Sequence, residues 1–431
     1  MRVLVENGEY WLNNKGDQAM LDVSVGRCTE RWPGARIGVL TSAPRLLQAY
    51  EPAAEPIWYE RGGAWNGRGP VGLPGVADLL DRLGPSRTGP VLNGWDAVVA
   101  RTARIHRGSS PPPPRAERVL HRDGGTLPDA LAEASGVIAI GGGYLTDVDR
   151  SQTARTLDLL EYATARRIPT AMLGQGIGPL EDGDLRERAA RVLPAVGLIA
   201  LREGLRGPAV LRGLGVRDDR IVVTGDDAVE LGYGLRPDRL GAAIGVCLRI
   251  ADYSPVGSAT RAAVGRGLRA AAREHRAALA PVIVSEHGAE DRRATLPLVE
   301  EALDVLPPPG RFAPARELIR RVGECRVMVT GAYHAAVFAM SQGIPVVALS
   351  SSQYYDDKFE GLADMFGCGL DLVRLAADDD SVAERLLGAV SGRWRAAPDQ
   401  RAALLESASH QVGLSRAAFD QAATLLEGGA A

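Results

Sequence analysis

The residues most able to do chemistry gather in one stretch, 327–369. There His334 follows an apolar run, Val327–Val329, and a Thr330-Gly331 turn, and opens a helix. A second apolar run, Val346–Leu349, ends in Ser350, Ser351 and Ser352, with Tyr354, Tyr355 and Lys358 around the start of the next helix. The pattern reads strand, turn, helix, twice over. In such α/β units ligands sit where strands end and helices begin. An imidazole there titrates near neutrality and suits general acid or base work. Three serines followed by Lys358 can cradle a phosphate with hydroxyl, backbone and ammonium donors. The two tyrosines can stack on a sugar face or pack in the core, and Lys358 can equally be an exposed lysine on a helix face.

Outside this stretch, Arg202 and Arg249 each close an apolar run, one in each half of the chain. They are candidate clamps for carboxylate or phosphate, or partners of neighbouring acids. Gly16, Gly142, Gly143 and Gln175 lie in glycine-bearing turns where a backbone can approach a ligand closely. Among the acids Asp17, Glu203, Asp226, Asp227 and Glu286, we choose Asp17 and Glu286 as candidate bases. Asp17 has an alternative role as a helix cap. The acids show no metal-ligand spacing, so no metal is expected. His106, His121, His275 and His410 read as surface residues.

Elements that position these groups follow from the apolar runs. Arg2–Val5, Arg36–Leu40, Val137–Ile140, Thr170–Leu173, Leu198–Leu201 and Ile221–Val223 read as strands of a parallel sheet, buried on both faces. A second sheet takes Ile244–Leu248, Pro281–Val284, the two runs of the opening stretch and Asp371–Leu375. Between 43 and 135 the pattern is irregular, with the run Pro111–Pro114 and helices expected over Val76–Leu83, Trp95–His106 and Pro128–Ala134. The tail reads as helices Ser381–Ser391, Asp399–Ser409 and Ser415–Glu427, with Ala403, Leu404, Leu405, Val412, Leu414, Ala418, Phe419 and Leu425 as its apolar face. The reading is α/β: a doubly wound, Rossmann-like domain over 1–236, a second over 237–396 carrying the donor site, an interdomain cleft, and a C-terminal helical extension over 397–431. This is the layout of GT-B type transferases.

Composition narrows the class. The chain has 431 residues, 50 basic and 53 acidic, so a nucleic-acid-binding surface is not indicated. Four widely spaced cysteines in apolar contexts suit a reducing cytoplasm. The N-terminus lacks a signal-peptide layout, and no apolar run approaches the ~20 residues that span a bilayer. Arginine over lysine, with abundant alanine, glycine and proline, suggests a bacterial genome rich in G and C. A homo-oligomer is compatible with all of this.

Six turns in order carry a resemblance: Gly16-Asp17-Gln18-Ala19, Gly141-Gly142-Gly143-Tyr144-Leu145, Gly174-Gln175-Gly176-Ile177-Gly178-Pro179, Leu201-Arg202-Glu203, Thr224-Gly225-Asp226-Asp227, and the His334 turn followed by Tyr354-Tyr355 and Lys358-Phe359-x-Gly361-Leu362. Together they resemble the polysaccharide pyruvyl transferase family from about residue 2 to 369. The resemblance implies transfer of a pyruvyl group from phosphoenolpyruvate, as co-substrate with no further cofactor, to hydroxyls of a sugar or other polyhydroxylated acceptor. Members usually read Ser-x-Arg-Leu-His where this chain reads Thr330-Gly331-Ala332-Tyr333-His334, so either another cation, with Arg202 and Arg249 as candidates, takes the place of the anion-contacting arginine, or the donor differs. A GT-B glycosyltransferase using a nucleotide sugar, and a tailoring or non-catalytic relative with a different donor, are the competing readings.

Overall fold

The computed structural model describes residues 1–58, 131, 133–287, 290–376, 379 and 381–428. The helices expected over 76–83 and 95–106, most of that over 128–134, and the proline run lie outside the described residues, as do His106 and His121.

Two parallel sheets form the frame. The first contains β1 (Arg2–Glu6), β2 (Arg36–Thr41), β3 (Ala54–Trp58), β4 (Gly136–Ala139), β5 (Gly142–Leu145), β6 (Thr170–Ile177), β7 (Leu198–Leu201) and β8 (Ile221–Val223), in the order β3-β2-β1-β4-β6-β7-β8 with β5 also on β6. The second contains β9 (Ala243–Cys247), β10 (Leu279–Pro281), β11 (Cys325–Thr330), β12 (Val346–Ser350) and β13 (Leu370–Arg374), in the order β10-β9-β11-β12-β13. Every pairing is parallel, for example Leu4 opposite Val137 and Thr330 opposite Cys247. The apolar runs of the inner strands are buried on both faces because helices cover both sides, whereas the edge strands β8, expected to be buried, and β13 are only partly so. The expected α/β architecture of two Rossmann-like sheets with a C-terminal helix is what the chain adopts.

Several local expectations are corrected. The triple glycine is not simply a turn: Gly142–Leu145 pairs with β6, which runs on to Ile177. The irregular section begins with order, a Pro44–Tyr50 helix and β3, whose short lengths gave no periodic signal. Asp17 does not cap its helix, which spans Lys15–Arg31. Asn14 does, accepting from the Gly16 N–H. His275 is not a surface residue, because its ring stacks on Trp394 at 4.8 Å and Nε2 lies 2.9 Å from Ser391 Oγ.

The largest correction is the tail. The three expected helices are one, Val382–Gly428, and Pro398 does not break it. A proline inside a helix leaves the carbonyl four residues earlier without its usual donor. Here that carbonyl, of Trp394, accepts from Arg326 Nε at 3.0 Å. The buried face also differs: Leu404, Ala418 and Phe419 are buried together with Ala422, Ala423 and Leu426, whereas Leu414 and Leu425 are exposed. The helix touches both domains. Arg401 Nη1 donates to Gln342 O at 2.8 Å and Gln411 Nε2 to Met365 O at 3.2 Å. Further along, Arg27 Nη2 donates to Ser415 Oγ at 2.9 Å, and Leu426 lies over Gly136 of the first sheet. No helix among the described residues is long and apolar enough to cross a membrane.

Leu404 and Leu426 are both fully buried, Leu404 over Gly369 of the second domain and Leu426 over the first sheet. Either Leu→Ala change should cost about 2–5 kcal/mol. Denaturant unfolding should show each variant losing stability in one concerted transition. Stability equal to wild type for both would contradict the packing of the Val382–Gly428 helix against both domains.

Candidate active site

The site is built where the strand ends of both sheets meet. From the first domain, the loop before the Lys15–Arg31 helix crosses to the second. Lys15 N–H donates to Val284 O, and Glu286 N–H to Asn13 O, each at 2.9 Å. Glu9 shapes that loop by accepting the N–H groups of Trp11, Asn13 and Asn14, and burial together with Asp17 pushes its carboxyl up to about 7. The crossing delivers Gly16 against His334 in the first turn of the Tyr333–Met340 helix. A Cβ on Gly16 would sit 2.0 Å from His334 Nδ1, so only glycine lets the two helix starts meet this way.

His334 is buried, and its Nε2 lies 3.6 Å from Asp226 Oδ2. The same carboxylate oxygen is 3.6 Å from Arg202 Nη1. Neither Asp226 Oδ2 nor His334 Nε2 has a hydrogen-bond partner among the described residues, while Asp226 Oδ1 accepts from Ala228 N–H at 2.9 Å. Burial alone would raise the Asp226 carboxyl, but His334, Arg202 and that N–H hold it below its usual value. Arg202, buried, covers the Tyr333 ring at 4.2 Å. It also lies over Gly176, where a Cβ would come within 2.6 Å of Nη2.

Lys358 reaches the same place from the Gln353–Phe366 helix. A Cβ on Gly143 would lie 2.9 Å from Arg202 Nη2 and 3.0 Å from Lys358 Nζ. Lys358 Nζ donates to Tyr354 Oη at 2.6 Å, and Tyr354 Oη donates to Gly143 O at 3.0 Å. Asp17 faces the group from the first domain. Burial raises its carboxyl, with Asp226 adding to the rise and His334, Arg202 and Lys358 opposing it.

Gly16, Asp17, Gly143, Arg202, His334, Tyr354 and Lys358 are thus brought together. Most of the other expected site residues have partners of their own, although the buried Ser352 Oγ has none among the described residues. Arg249 holds Asp291 through a two-pronged buried pair, with Tyr253 and Tyr355 beside it. Glu286 is buried against Arg292 and Arg311. Gln175 is buried, its amide donating to Ile140 O at 2.7 Å and Ala139 O at 3.1 Å. Gly142 is buried under the Tyr144 ring. Ser351 Oγ is 3.2 Å from Ser254 Oγ, and Ser352 forms the N-cap of the helix that bears Lys358. Tyr355 is buried beside Phe359.

Two residues of the cluster went unselected in the sequence reading. Asp226 stood among five acids, and its signal was the charged turn directly after a buried strand. Tyr333 offered none, since a tyrosine beside a helix start is ordinary. Of the remaining acids, Glu203 caps the Gly207–Gly213 helix by accepting three successive N–H groups.

Compared with known proteins, residues 14–353 match the family model described as polysaccharide pyruvyl transferase. The chain belongs to the polysaccharide pyruvyl transferase family. It is therefore a transferase. No curated protein matches it. Solved structures share its fold at low identity. The UDP-GlcNAc 2-epimerase of Neisseria meningitidis, solved with UDP-GlcNAc, is 11% identical with a TM-score of 0.53, covering 99% of this chain and 100% of its own. The glycosyltransferase of kitacinnamycin is 11% identical with a TM-score of 0.54, covering 98% of each chain. Arabidopsis thaliana UGT89C1, complexed with quercetin, is 12% identical with a TM-score of 0.54, covering 99% of each. These likenesses establish the GT-B layout of two Rossmann-like domains.

The Gly16–His334 contact can be tested directly. Gly16→Ala drives a methyl into the imidazole, so the ring must turn or the domains must part, at about 1–3 kcal/mol. Gly26→Ala, on the same helix with nothing within 4 Å, should instead stabilise by about 0.5–1 kcal/mol. Thermal unfolding and the His334 ring signals in NMR report both. An unshifted His334 spectrum in Gly16→Ala would overturn the contact.

Proposed function

We propose that this family member transfers the pyruvyl group of phosphoenolpyruvate to two hydroxyls of a sugar or similar polyol, forming a ketal. The observation that carries the reading is the convergence of Arg202, Lys358, His334 and Asp17 from both domains on one point beside Gly143 and Gly16.

The roles follow from the groups. His334 protonates the methylene carbon of the enol phosphate, which makes C2 electrophilic. Asp17, whose carboxyl is raised by burial, takes the proton of the attacking hydroxyl. The first addition gives a tetrahedral carbon bearing phosphate. The phosphate then leaves with its electron pair, and the second hydroxyl adds to close the ketal. Of the two hydroxyl protons lost, one balances the new methyl group and the other goes to phosphate.

Arg202 and Lys358 hold the carboxylate or the departing phosphate. Ala332, where relatives usually carry arginine, is fully buried at the start of the His334 helix. Arg202 lies 4.2 Å above the ring of the very next residue, Tyr333, so a cation is present close to where the family arginine would begin. Asp226 keeps His334 in place. Tyr354 is half-buried, with Lys358 Nζ 3.9 Å from its ring centroid, and serves to position that lysine.

Incubation with phosphoenolpyruvate and a panel of sugar diols should release inorganic phosphate and add pyruvate mass to an acceptor. His334→Ala should slow that release by about 10²–10⁴-fold. No phosphate release and no donor binding would sink the reading. A rise in melting temperature with a nucleoside diphosphate but not with phosphoenolpyruvate would favour a nucleotide-sugar glycosyltransferase.

A further inference from the structure

The two cations at Gly143 are arranged unusually. Nζ of Lys358 and Nη2 of Arg202 both lie within 3.0 Å of one point on Gly143, so they are less than about 6 Å apart, close enough for like charges to repel strongly inside a protein. Among the described residues no carboxylate lies within 4 Å of Lys358 Nζ. It donates a hydrogen bond to a neutral hydroxyl, Tyr354 Oη, at 2.6 Å. That ring lies 3.9 Å below the nitrogen and the Tyr355 ring 5.4 Å away.

The charged groups facing Lys358 come from three other elements. Arg202 follows β7, Arg249 follows β9, and Asp17 stands in the Lys15–Arg31 helix as the opposing charge. Arg249 is itself engaged by Asp291, and Arg202 shares Asp226 with His334 at 3.6 Å. Among the described residues, the seat between Lys358 and Arg202 therefore presents donors without a built-in counter-ion in hydrogen-bond contact with the lysine.

We propose that the free protein holds Lys358 as the neutral amine, and that a doubly charged anion seated between Lys358 and Arg202 is bound together with one proton, which Lys358 takes up from solvent. Binding breaks no covalent bond: the amine becomes an ammonium, and the anion gives Lys358 a counter-charge at contact distance, where Asp17 and Asp226 stand farther off. The geometry has an electrostatic counterpart, since burial and the positive charges of Arg202 and Arg249 push the Lys358 ammonium well below the ordinary lysine value, with Asp17 opposing. An anion between the two cations reverses that balance and raises it. The sign follows from linkage. Between the free and bound values, the bound state carries more protons, so affinity falls as pH rises, by up to about tenfold per pH unit.

This deepens the pyruvyl-transfer reading by assigning the proton state of its anion seat, and it rests on that reading only for the anion's identity. Sulfate is the probe, because it stays doubly charged and has no titration of its own near neutrality. Calorimetric titration at about pH 8.5, below the ordinary lysine value of about 10.4 and above that of histidine at about 6.5, in buffers of different ionisation enthalpy, reads the protons taken up. The wild-type protein should show uptake approaching one proton. Lys358→Arg, whose charge is fixed, should bind sulfate with none and lose the pH dependence of affinity. Saturable binding without uptake in the wild type overturns the proposal. Uptake that persists in Lys358→Arg also overturns it, moving the proton to another group such as His334. Absence of saturable sulfate binding overturns the seat itself. A parallel titration with phosphoenolpyruvate, followed by addition of the sugar diols, separates the two ideas: proton-linked binding with no phosphate release once acceptors are present leaves the seat standing and removes the pyruvyl-transfer reading, whereas phosphate release with acceptors but without proton uptake on donor binding does the reverse.

Discussion

The site depends on one bare contact, the backbone of Gly16 against the ring of His334. Two helices from different domains begin at this contact. A side chain at either glycine of the cluster, Gly16 or Gly143, would occupy the space that His334 or the Arg202–Lys358 pair now fills. The loop before Gly16 is held across the domain boundary by backbone hydrogen bonds to Val284 and from Glu286. The relative placement of the domains is therefore fixed next to the chemistry rather than at a distant hinge.

The charge distribution divides the acids by task. Glu203 caps a helix, Asp291 holds Arg249, and Glu286 is buried between Arg292 and Arg311. Asp226 and Asp17 are left to face His334, Arg202 and Lys358. Their carboxyls shift in opposite directions, Asp226 down and Asp17 up, although burial pushes both upward. The difference lies in the partners: Asp226 has the Arg202 guanidinium and the His334 imidazole at 3.6 Å and an N–H at 2.9 Å, whereas Asp17 meets the same two side chains at longer range and with Asp226 against it. Two carboxyls pushed apart in this way suit distinct roles, one as a fixed counter-charge and one as a proton acceptor.

Much of this was legible in the sequence, for a definite reason. Strands buried on both faces are continuous apolar runs, and their ends mark the ligand edge, so His334, Arg202, Asp17, Gly143 and Lys358 could be placed there from position alone. Pairings across the chain were not legible. Arg249 and Arg202 look alike as arginines closing apolar runs, but Asp291 occupies the first while the second keeps only a 3.6 Å contact. Gln175 sat in an apparently exposed glycine turn, but β6 continues through it and turns its amide inward. In the tail, helices were expected to stop at Ser391 and restart at Asp399, whereas one helix runs through Pro398, and what accommodates that proline, Arg326 on the Trp394 carbonyl, lies 68 residues away in sequence.

The same tail clarifies why Asp226 can act as a fixed partner. Asp226 and Asp227 are consecutive in one turn, and they serve opposite sides. Asp226 faces His334 and Arg202, and Asp227 faces Arg27 and Ser415 of the long C-terminal helix. Burial raises the Asp227 carboxyl, and Arg27 and Ser415 counter that rise. Arg27 and Arg416 meanwhile both hold Glu230, one turn further on. The helix that spans the domains thus clamps the back of the turn whose front orients the imidazole. A carboxylate 3.6 Å from a histidine could drift on a free loop. Here its neighbour is anchored to a helix that is itself bonded to the domain carrying His334, through Gln342 and Met365. The loop closed by these contacts runs from His334 through the second domain, along the helix, into the first domain and back to Asp226. It makes the geometry of the His334–Asp226 pair a property of the whole two-domain assembly rather than of either domain alone.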